Sequence, residues 1–325
     1  MKPIPLQQRG IAASRLILGC MGLGGERNVA PIEEQDVNHG RAAVEAALAA
    51  GINMFDHADI YKLGKAEQVF GRILSEDASL REKIILQSKC GIRAKEWSGL
   101  PFKRYDFSAS HIVASVDGIL ERLGTDYLDV LLLHRPDPLM DPEEVGEAIR
   151  TLKAAGKVRH FGVSNMSAGQ IRLLQSETDE PFLVNQLELS LRHIGWLESG
   201  IHVNQPAAAG DYFPEGTLEY CRLQRIQLQS WGALAQGAYT SGAGDHRDER
   251  TMRTTRCVEK LAAHYGVRPE AIVLAWLMRH PAGIQPIVGT SNPDRIAACA
   301  AATRIALTGD EWYELYVSSR GAEMP

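Results

Sequence analysis

Short apolar runs alternate with longer amphipathic runs along almost the whole chain. The apolar runs carry few polar residues, which is typical of strands buried on both faces of a parallel sheet. Eight such strands are predicted, at Leu16–Gly19, Ile52–Asp56, Ile84–Lys89, Leu128–His134, Val158–Val163, Leu183–Gln186, Ile226–Trp231 and Ile284–Val288.

Helices are predicted between these strands, where apolar residues recur at helical spacing. They span Asn38–Ala50, Lys65–Leu74, Ser108–Leu123, Pro142–Ala155, Ser167–Ser176, Thr217–Gln224, Thr251–Tyr265 and Asn292–Ala302, with one more at Gly309–Ser319. The pairs Asp141–Pro142 and Asn292–Pro293 have the preferred order of residues at a helix start. Strands and helices that alternate in this way predict a (β/α)8 TIM barrel, as one domain over residues 1–325.

Three connections are too long to be simple turns: Cys90–Phe107, Leu191–Gly216 and Ala233–Arg250. Each follows a predicted strand, so each is expected at the C-terminal rim of the barrel, where active sites form. Their aromatic residues predict an apolar pocket or lid, although any single one could equally pack its loop onto the barrel. These residues are Trp97, Phe102, Tyr105, Trp196, Tyr212, Phe213 and Tyr239.

Composition excludes several classes of protein. Of 325 residues 45% are hydrophobic and 23% are charged, so the chain can bury a large core. The net charge is −5 without a long basic run, which argues against nucleic acid as a partner. No apolar stretch, Ile272–Met278 included, is long enough to span a membrane, and the start has no signal-peptide core.

Cysteine usage indicates the compartment. Cys20, Cys90, Cys221, Cys257 and Cys299 form an odd and scattered set, which suits reduced thiols in the cytoplasm. We therefore expect a cytoplasmic protein and, because no heptad pattern stands out, a monomer.

Polar residues end three successive predicted strands: Asp56, Lys89 and His134, with Tyr61 five positions after Asp56. One such residue often marks only the rim of a sheet, but strand ends in a barrel converge on one cavity. A phenol has a pKa of about 10 and can donate a proton at neutral pH. Lys89 would lower the Tyr61 pKa, Asp56 would keep Lys89 charged, and His134 would orient a substrate oxygen. The set predicts proton transfer coupled to hydride transfer at a carbonyl.

Two other patterns compete with this interpretation. Tyr61 and Lys65 have the YxxxK spacing of short-chain dehydrogenases, but the early Gly-rich Rossmann turn is missing, and Lys65 is more simply a solvated residue near a helix start. The cluster Leu18–Gly25 lacks GxGxxG spacing, which favours a flexible rim loop while leaving close approach of a cofactor open. No HxH pair or carboxylate cluster indicates a metal site.

Later strand ends offer groups that could hold a nicotinamide. Ser164 and Asn165 follow the fifth strand, Gln186 ends the sixth, and Trp231 ends the seventh with a flat aromatic face. After the eighth strand, Ser291 and Arg295 flank a helix start, where N–H groups, helix dipole and guanidinium together suit an anion.

In this order the motifs FDHADIY with Glu67 following, QSKCG, LLLHRPD, GVSN, Gln186 and GTSNPDRI resemble the aldo-keto reductase family over nearly the whole chain. The resemblance implies a (β/α)8 barrel, NADPH extended across its C-terminal face, and reversible reduction of small-molecule aldehydes or ketones. It implies that Tyr61 is the proton donor and that Asp56, Lys89 and His134 complete a tetrad.

The resemblance also implies that Ser164, Asn165 and Gln186 hold the carboxamide, Trp231 stacks on the nicotinamide, and Ser291 and Arg295 take the 2′-phosphate. Further NADP(H) contacts are expected from Met21, Gly232, Ala233, Leu234 and Gly289.

Two residues depart from the family pattern: Lys62 replaces a frequent Gly after the tyrosine, and Cys299 replaces a frequent Asn at the adenine.

The resemblance also allows an alternative function, that of a nucleotide-sensing regulatory subunit with little turnover, since the family includes channel-associated β subunits.

Overall fold

The strands of this protein close into a barrel in a computed structural model that describes residues 2–240 and 248–325. Over these ranges the parallel barrel strands are β1 Ile17–Gly19, β2 Met54–Asp56, β3 Ile85–Cys90, β4 Leu128–Leu133, β5 Val158–Ser164, β6 Phe182–Glu188, β7 Gln227–Trp231 and β8 Gln285–Val288. Each strand pairs with its sequence neighbours, and β8 pairs with β1 through Ile287 opposite Ile17. The predicted (β/α)8 barrel is confirmed.

The barrel is surrounded by helices that return the chain from one strand to the next. They are α1 Glu34–Ala49, α2 Lys65–Glu76, α3 Ala109–Leu123, α4 Pro142–Ala154, α5 Ala168–Gln175, α6 Thr217–Leu223, α7 Glu249–Tyr265, α8 Pro269–Arg279, α9 Pro293–Ala300 and α10 Gly309–Arg320. Asp141 caps α4 and Asn292 caps α9, each by accepting a hydrogen bond from a backbone N–H of the first turn.

Short elements fill the loops. Four-residue helices span Pro5–Gln8, Leu80–Lys83 and Lys95–Ser98, and a longer one spans Gly195–Ile201. Strands Ile92–Arg93 and Arg104–Tyr105 form an antiparallel hairpin in the loop after β3. Turns of 3₁₀ helix lie at Cys20–Gly22, Tyr61–Gly64, Pro206–Gly210, Ala235–Gly237 and Ala301–Arg304.

Helix α8 is absent from the sequence prediction, which has one helix between β7 and β8. Its residues from Glu270 to Met278 are all buried. A helix buried all round has no polar face, so hydrophobic periodicity does not reveal it. The same run is too short to cross a membrane, and none of the helices in the described ranges combines the length and apolarity that crossing requires.

Two kinds of side chain fill the barrel interior. One is an apolar cluster, to which Leu6 of the N-terminal helix adds its side chain; its members include Ile17, Met54, Val130, Val184 and Ile287. The other is a set of buried glutamines from β3, β6, β7 and β8, namely Gln87, Gln186, Gln229 and Gln285. The outward faces of the strands pack against the helices. This leaves the C-terminal strand ends to carry polar side chains.

Candidate active site

The four predicted catalytic side chains meet at the C-terminal end of the barrel. Asp56 is the last residue of β2, and Lys89 lies one position before the end of β3. His134 directly follows β4, and Tyr61 begins the 3₁₀ turn after β2. Neighbouring parallel strands thus bring together residues that are far apart in the sequence.

Lys89 is the centre of this group. Its side chain is 0% exposed, and its Nζ donates to Asp56 Oδ2 at 2.7 Å, to the His57 carbonyl at 2.8 Å and to Tyr61 Oη at 2.9 Å. All three ammonium hydrogens therefore have acceptors. Because a buried charge is tolerated only when it is paired and hydrogen-bonded, Lys89 and Asp56 depend on each other.

The protonation states of Lys89 and Tyr61 follow from their burial and from the charges beside them. Burial opposes the ammonium of Lys89, but Asp56 and Tyr61 outweigh it and raise the Lys89 pKa. For Tyr61, burial raises the pKa and outweighs the opposing effect of Lys89. The lowered Tyr61 pKa expected from the sequence is wrong in net sign, because burial of the phenol outweighs the effect of Lys89. Tyr61 therefore keeps its proton at neutral pH.

His134 lies beside Tyr61, with ring centroids 6.1 Å apart and planes at 80°. Burial, together with Lys89, Arg135 and Lys103, lowers the His134 pKa well below its usual value. Its Nδ1 is buried and has no hydrogen-bond partner among the described residues. A neutral imidazole is suited to hydrogen-bond a small ligand, and because Nδ1 is buried, Nε2 is the ring nitrogen that can do so.

The residues predicted to hold a nicotinamide carboxamide form one hydrogen-bonded chain next to His134. Trp231 Nε1 donates to Asn165 Oδ1 at 3.0 Å. Asn165 Nδ2 donates to Ser164 Oγ at 2.8 Å and to the His134 carbonyl at 3.2 Å, and Ser164 Oγ donates to the Gln186 carbonyl at 2.9 Å. These contacts fix the edge of the Trp231 ring.

Gln186 points its amide nitrogen into the barrel. Its Nε2 donates to Asp56 Oδ1 and to Gln229 Oε1, both at 3.1 Å. Both amide hydrogens are thus used inside the protein, and Gln186 can meet a carboxamide only as an acceptor through Oε1. In this arrangement Gln186 also holds the tetrad carboxylate in place.

The other barrel glutamines extend this support and were not among the predicted site residues. Gln87 Nε2 donates to Asp56 Oδ1 at 2.6 Å and to Gln229 Oε1 at 2.8 Å. Gln229 Nε2 donates back to Gln87 Oε1 at 3.0 Å and to Gln285 Oε1 at 3.3 Å. A signal exists in the sequence, since each glutamine lies in a strand predicted to be buried on both faces, and a buried amide must find partners.

The loop after Tyr61 is locally strained. Lys62 and Leu63 have φ of 52° and 58°, and Gly64 has φ of 84°. Left-handed backbone at Lys62 explains why glycine suits this position in the family pattern. A lysine there carries a conformational cost of about 1–3 kcal/mol, which the surrounding contacts must offset.

Two charged residues near this loop, Glu67 and Lys65, are buried, and each has hydrogen-bond partners. Glu67 accepts from Ser88 Oγ at 2.7 Å and from Arg122 Nε at 2.8 Å, which joins α2 to β3 and α3. Lys65 is 5% exposed and donates to Asn28 Oδ1 at 2.9 Å. The prediction that Lys65 is solvated is therefore wrong. The lysine that contacts Tyr61 Oη is Lys89, so the YxxxK alternative gains no support.

The predicted anion site lies where β8 meets β1. Ser291 precedes Asn292, whose Oδ1 accepts from the Arg295 N–H at 3.0 Å at the start of α9. Its chain neighbours apart, none of the described residues has a heavy atom within 4 Å of the place where Gly289 would carry a Cβ, so these residues leave the space beside its backbone open. Met21 is 62% exposed on the neighbouring loop after β1.

The remaining expected cofactor contacts lie after β7. Gly232 has φ of 65°, a left-handed conformation that favours glycine, and Ala233 beyond it is buried while Leu234 is half-buried. The long loop predicted at Ala233–Arg250 includes residues 241–247, which lie outside the described residues. Cys299 is buried, so its thiol does not present itself to an adenine.

The aromatic residues of the long loops differ in burial, and two of them, Tyr105 and Phe213, are half-buried. Trp97, Phe102 and Tyr212 are exposed, in keeping with an apolar rim. Trp196 and Tyr239 are instead buried, and Trp196 packs edge-on against Trp276 at 5.9 Å. For these two the alternative interpretation holds, because they are buried and pack their loops onto the barrel.

A cavity of about 320 Å³ lies near these anchoring aromatics and away from the tetrad. It is lined by residues of Gly195–Ile201, of α10 and of the end of α8, including Leu197, His280, Trp312 and Tyr316. In residues 2–240 and 248–325 no group of three His, Cys, Asp or Glu side chains is arranged to hold a metal ion. The five cysteines are free and buried.

A model of the Aldo/keto reductase family matches residues 15–316. The 6-dehydroglucose reductase of Agrobacterium fabrum is 36% identical over the full length of both chains, and an uncharacterized oxidoreductase of Bacillus subtilis, YcsN, is 39% identical over 87% of this chain and 88% of its own. An aldo/keto reductase of Klebsiella pneumoniae, solved with NADP and acetate, is 25% identical, with a TM-score of 0.71 over 93% of this chain and 90% of its own. The chain belongs to the aldo/keto reductase family.

Proposed function

We propose that this protein is an NADP(H)-dependent oxidoreductase that reduces an aldehyde or ketone to an alcohol, with Tyr61 as the proton donor. The observation that carries the proposal is the 2.9 Å hydrogen bond between Lys89 Nζ and Tyr61 Oη beside the buried ion pair with Asp56. Membership of the family supports oxidoreduction, and the Klebsiella pneumoniae relative was solved with NADP.

The residues present fit this cofactor. The exposed part of the Trp231 ring, fixed by Asn165, would support the nicotinamide, and Ser164 and Gln186 would face its carboxamide. Ser291 and Arg295 at the start of α9 would hold the 2′-phosphate. When bound, NADPH supplies the hydride that the carbonyl carbon receives.

The tetrad provides the proton. The neutral imidazole of His134, which lies beside Tyr61, hydrogen-bonds the substrate oxygen and brings it to the phenol. As the carbonyl carbon gains a hydride, the oxygen takes the Tyr61 proton, and the product is the alcohol. The phenolate that remains is stabilised by the Lys89 ammonium, whose charge Asp56 maintains. Solvent then returns a proton to Tyr61.

The substrate class is narrowed by the relatives and by the rim. The Agrobacterium fabrum relative is named for an oxidised sugar. Hydroxylated aldehydes therefore belong in the first set of carbonyls to assay, beside aromatic aldehydes that would suit the exposed Trp97 and Phe102. The intact tetrad disfavours the alternative of a regulatory subunit with little turnover.

The test is consumption of NADPH, followed by nicotinamide absorbance, with both aldehyde groups and with the protein alone. We expect multiple turnovers with at least one carbonyl, and slower consumption with NADH at the same concentration. Tight NADPH binding without turnover on any carbonyl would contradict the proposal and favour the regulatory alternative.

A further inference from the structure

An unpredicted histidine touches the anion site. His39 Nε2 on α1 lies 2.7 Å from Ser291 Oγ, although the two residues are 252 positions apart in the sequence. The contact exists because β8 pairs with β1, which places the loop that precedes α9 against α1. His39 is exposed, so a ligand can reach its ring.

Other polar side chains near His39 on α1 are already engaged in hydrogen bonds and ion pairs within the protein. Arg41 donates to both Glu76 and Asn38, which turns its guanidinium toward α2. Asp36 caps its own helix by accepting from the Glu33 N–H at 3.0 Å. Of the described side chains on this part of α1, His39 is thus the basic group that contacts the loop before α9.

We propose that His39 is a binding residue for the 2′-phosphate of NADPH, acting together with Ser291 and Arg295. This inference rests on the proposed function. A phosphate monoester carries close to two negative charges and three acceptor oxygens, so it can take several donors at once. An imidazole N–H from α1, a serine hydroxyl from the loop before α9 and a guanidinium from α9 can supply them.

The arrangement predicts selectivity between cofactors. NADH lacks the 2′-phosphate, so removal of His39 changes binding of NADP⁺ and leaves binding of NAD⁺ nearly unchanged. A hydrogen bond to a charged group contributes less to binding at an exposed site than at a buried one, and His39 is exposed. We therefore expect the His39→Ala variant to bind NADP⁺ about five- to twentyfold more weakly.

The experiment is an equilibrium titration, by calorimetry or by tryptophan fluorescence, of NADP⁺, NAD⁺ and 2′,5′-ADP without any carbonyl present. His39→Ala is compared with Glu45→Ala, an exposed substitution on the same helix, and with Arg295→Ala. His39→Gln keeps an N–H donor and should recover part of the lost affinity. Melting temperatures verify that each variant is folded.

Three results would overturn the inference: unchanged NADP⁺ affinity in His39→Ala, an equal loss for NAD⁺, or a loss that disappears when Ser291 is already alanine. The last result would make His39 only a support for Ser291. If the wild-type protein binds neither NADP⁺ nor 2′,5′-ADP, the proposed function itself fails. If the wild-type protein prefers NADP⁺ and the His39→Ala variant binds NADP⁺ with unchanged affinity, only the role of His39 fails.

Discussion

Tyr61 Oη accepts the third hydrogen bond of Lys89 Nζ at 2.9 Å, so the proposed proton donor and the cation that stabilises its phenolate are in contact before a substrate binds. The other two hydrogen bonds of the same ammonium are made to Asp56 and to the His57 carbonyl. Lys89 is thereby held in one position, and Tyr61 with it.

Replacing Tyr61 by phenylalanine removes the hydroxyl and keeps the ring. We expect kcat for carbonyl reduction to fall by about 10²- to 10⁴-fold, since this is the usual contribution of a general acid. Binding of NADP⁺, measured by fluorescence titration, should be nearly unchanged. Turnover close to that of the wild-type protein would rule out Tyr61 as the donor.

Replacing Lys89 by methionine tests the influence of the ammonium on the phenol. Lys89 lowers the Tyr61 pKa against the effect of burial, so its removal raises that pKa further. Alcohol oxidation needs the phenolate, and its rate should therefore require a higher pH in Lys89→Met than in the wild-type protein. We also expect a large loss of kcat in reduction.

This substitution leaves Asp56 without its cation, so the variant needs a folding control. Circular dichroism and thermal melting serve for that, and Lys89→Arg retains the charge in case the methionine variant does not fold. A pH profile of oxidation that does not move in a folded variant would contradict the assigned role of Lys89.

His57 predicts a dependence of stability on pH. Both ring nitrogens are buried without partners among the described residues, and burial, with Lys89, lowers the His57 pKa to about 3. Below about pH 6.5 His57 is protonated in the unfolded chain but stays neutral in the folded protein. The free energy of unfolding therefore falls as pH decreases toward 3. Above pH 6.5 both states are neutral and His57 has no effect.

Leucine at this position cannot be protonated and can still pack against Phe70, whose ring centroid lies 4.7 Å from that of His57. Denaturant unfolding from pH 7 to pH 4 should therefore show a shallower loss of stability in His57→Leu, with a difference on the order of a few kcal/mol at the acidic end. Parallel curves for the two proteins would show that His57 does not stay neutral in the fold.

A partly buried charge cluster holds the loop after β6 against α10. Arg320 Nε donates to Glu198 Oε2 at 3.0 Å, and Tyr316 Oη also donates to Glu198. His202 lies between Glu198 and Asp211, at 3.0 and 2.8 Å. Replacing Arg320 by methionine leaves Glu198 without its guanidinium, which should destabilise the protein by roughly 2–4 kcal/mol.

Amide hydrogen exchange locates this effect. In Arg320→Met we expect faster exchange in Gly195–Ile201 and unchanged exchange in the barrel strands, because the cluster joins only the loop and α10. The exposed pair Lys260 and Glu314 on α7 and α10 supplies a matched control, and Lys260→Met should change stability by less than about 1 kcal/mol.

The fold and the tetrad could be predicted because each depends on short-range pattern. Apolar strands ending in Asp56, Lys89 and His134 are visible along the chain, and parallel strands bring their ends together. Helix α8 could not be found in this way, since burial on all sides removes its periodicity.

Long-range contacts set the rest. The net sign of the Tyr61 pKa shift depends on how deeply the phenol is buried. The contact between His39 and Ser291 depends on the seam between β8 and β1, which no local pattern encodes. Lys65 is buried and its ammonium donates to Asn28, which lies in a loop whose path cannot be predicted from a local pattern.

The glutamines inside the barrel restrict how this protein can change. Gln87 and Gln229 exchange hydrogen bonds with each other, and Gln87 and Gln186 both donate to Asp56 Oδ1. Replacing either Gln87 or Gln229 by leucine leaves an amide hydrogen of the other buried and unsatisfied, at about 1–3 kcal/mol for each orphaned group. Because each of these glutamines is bonded to more than one of the others or to Asp56, exchanging one or two of them does not restore the network. A redesign of the barrel lining, or its drift during evolution, must therefore pass through less stable intermediates.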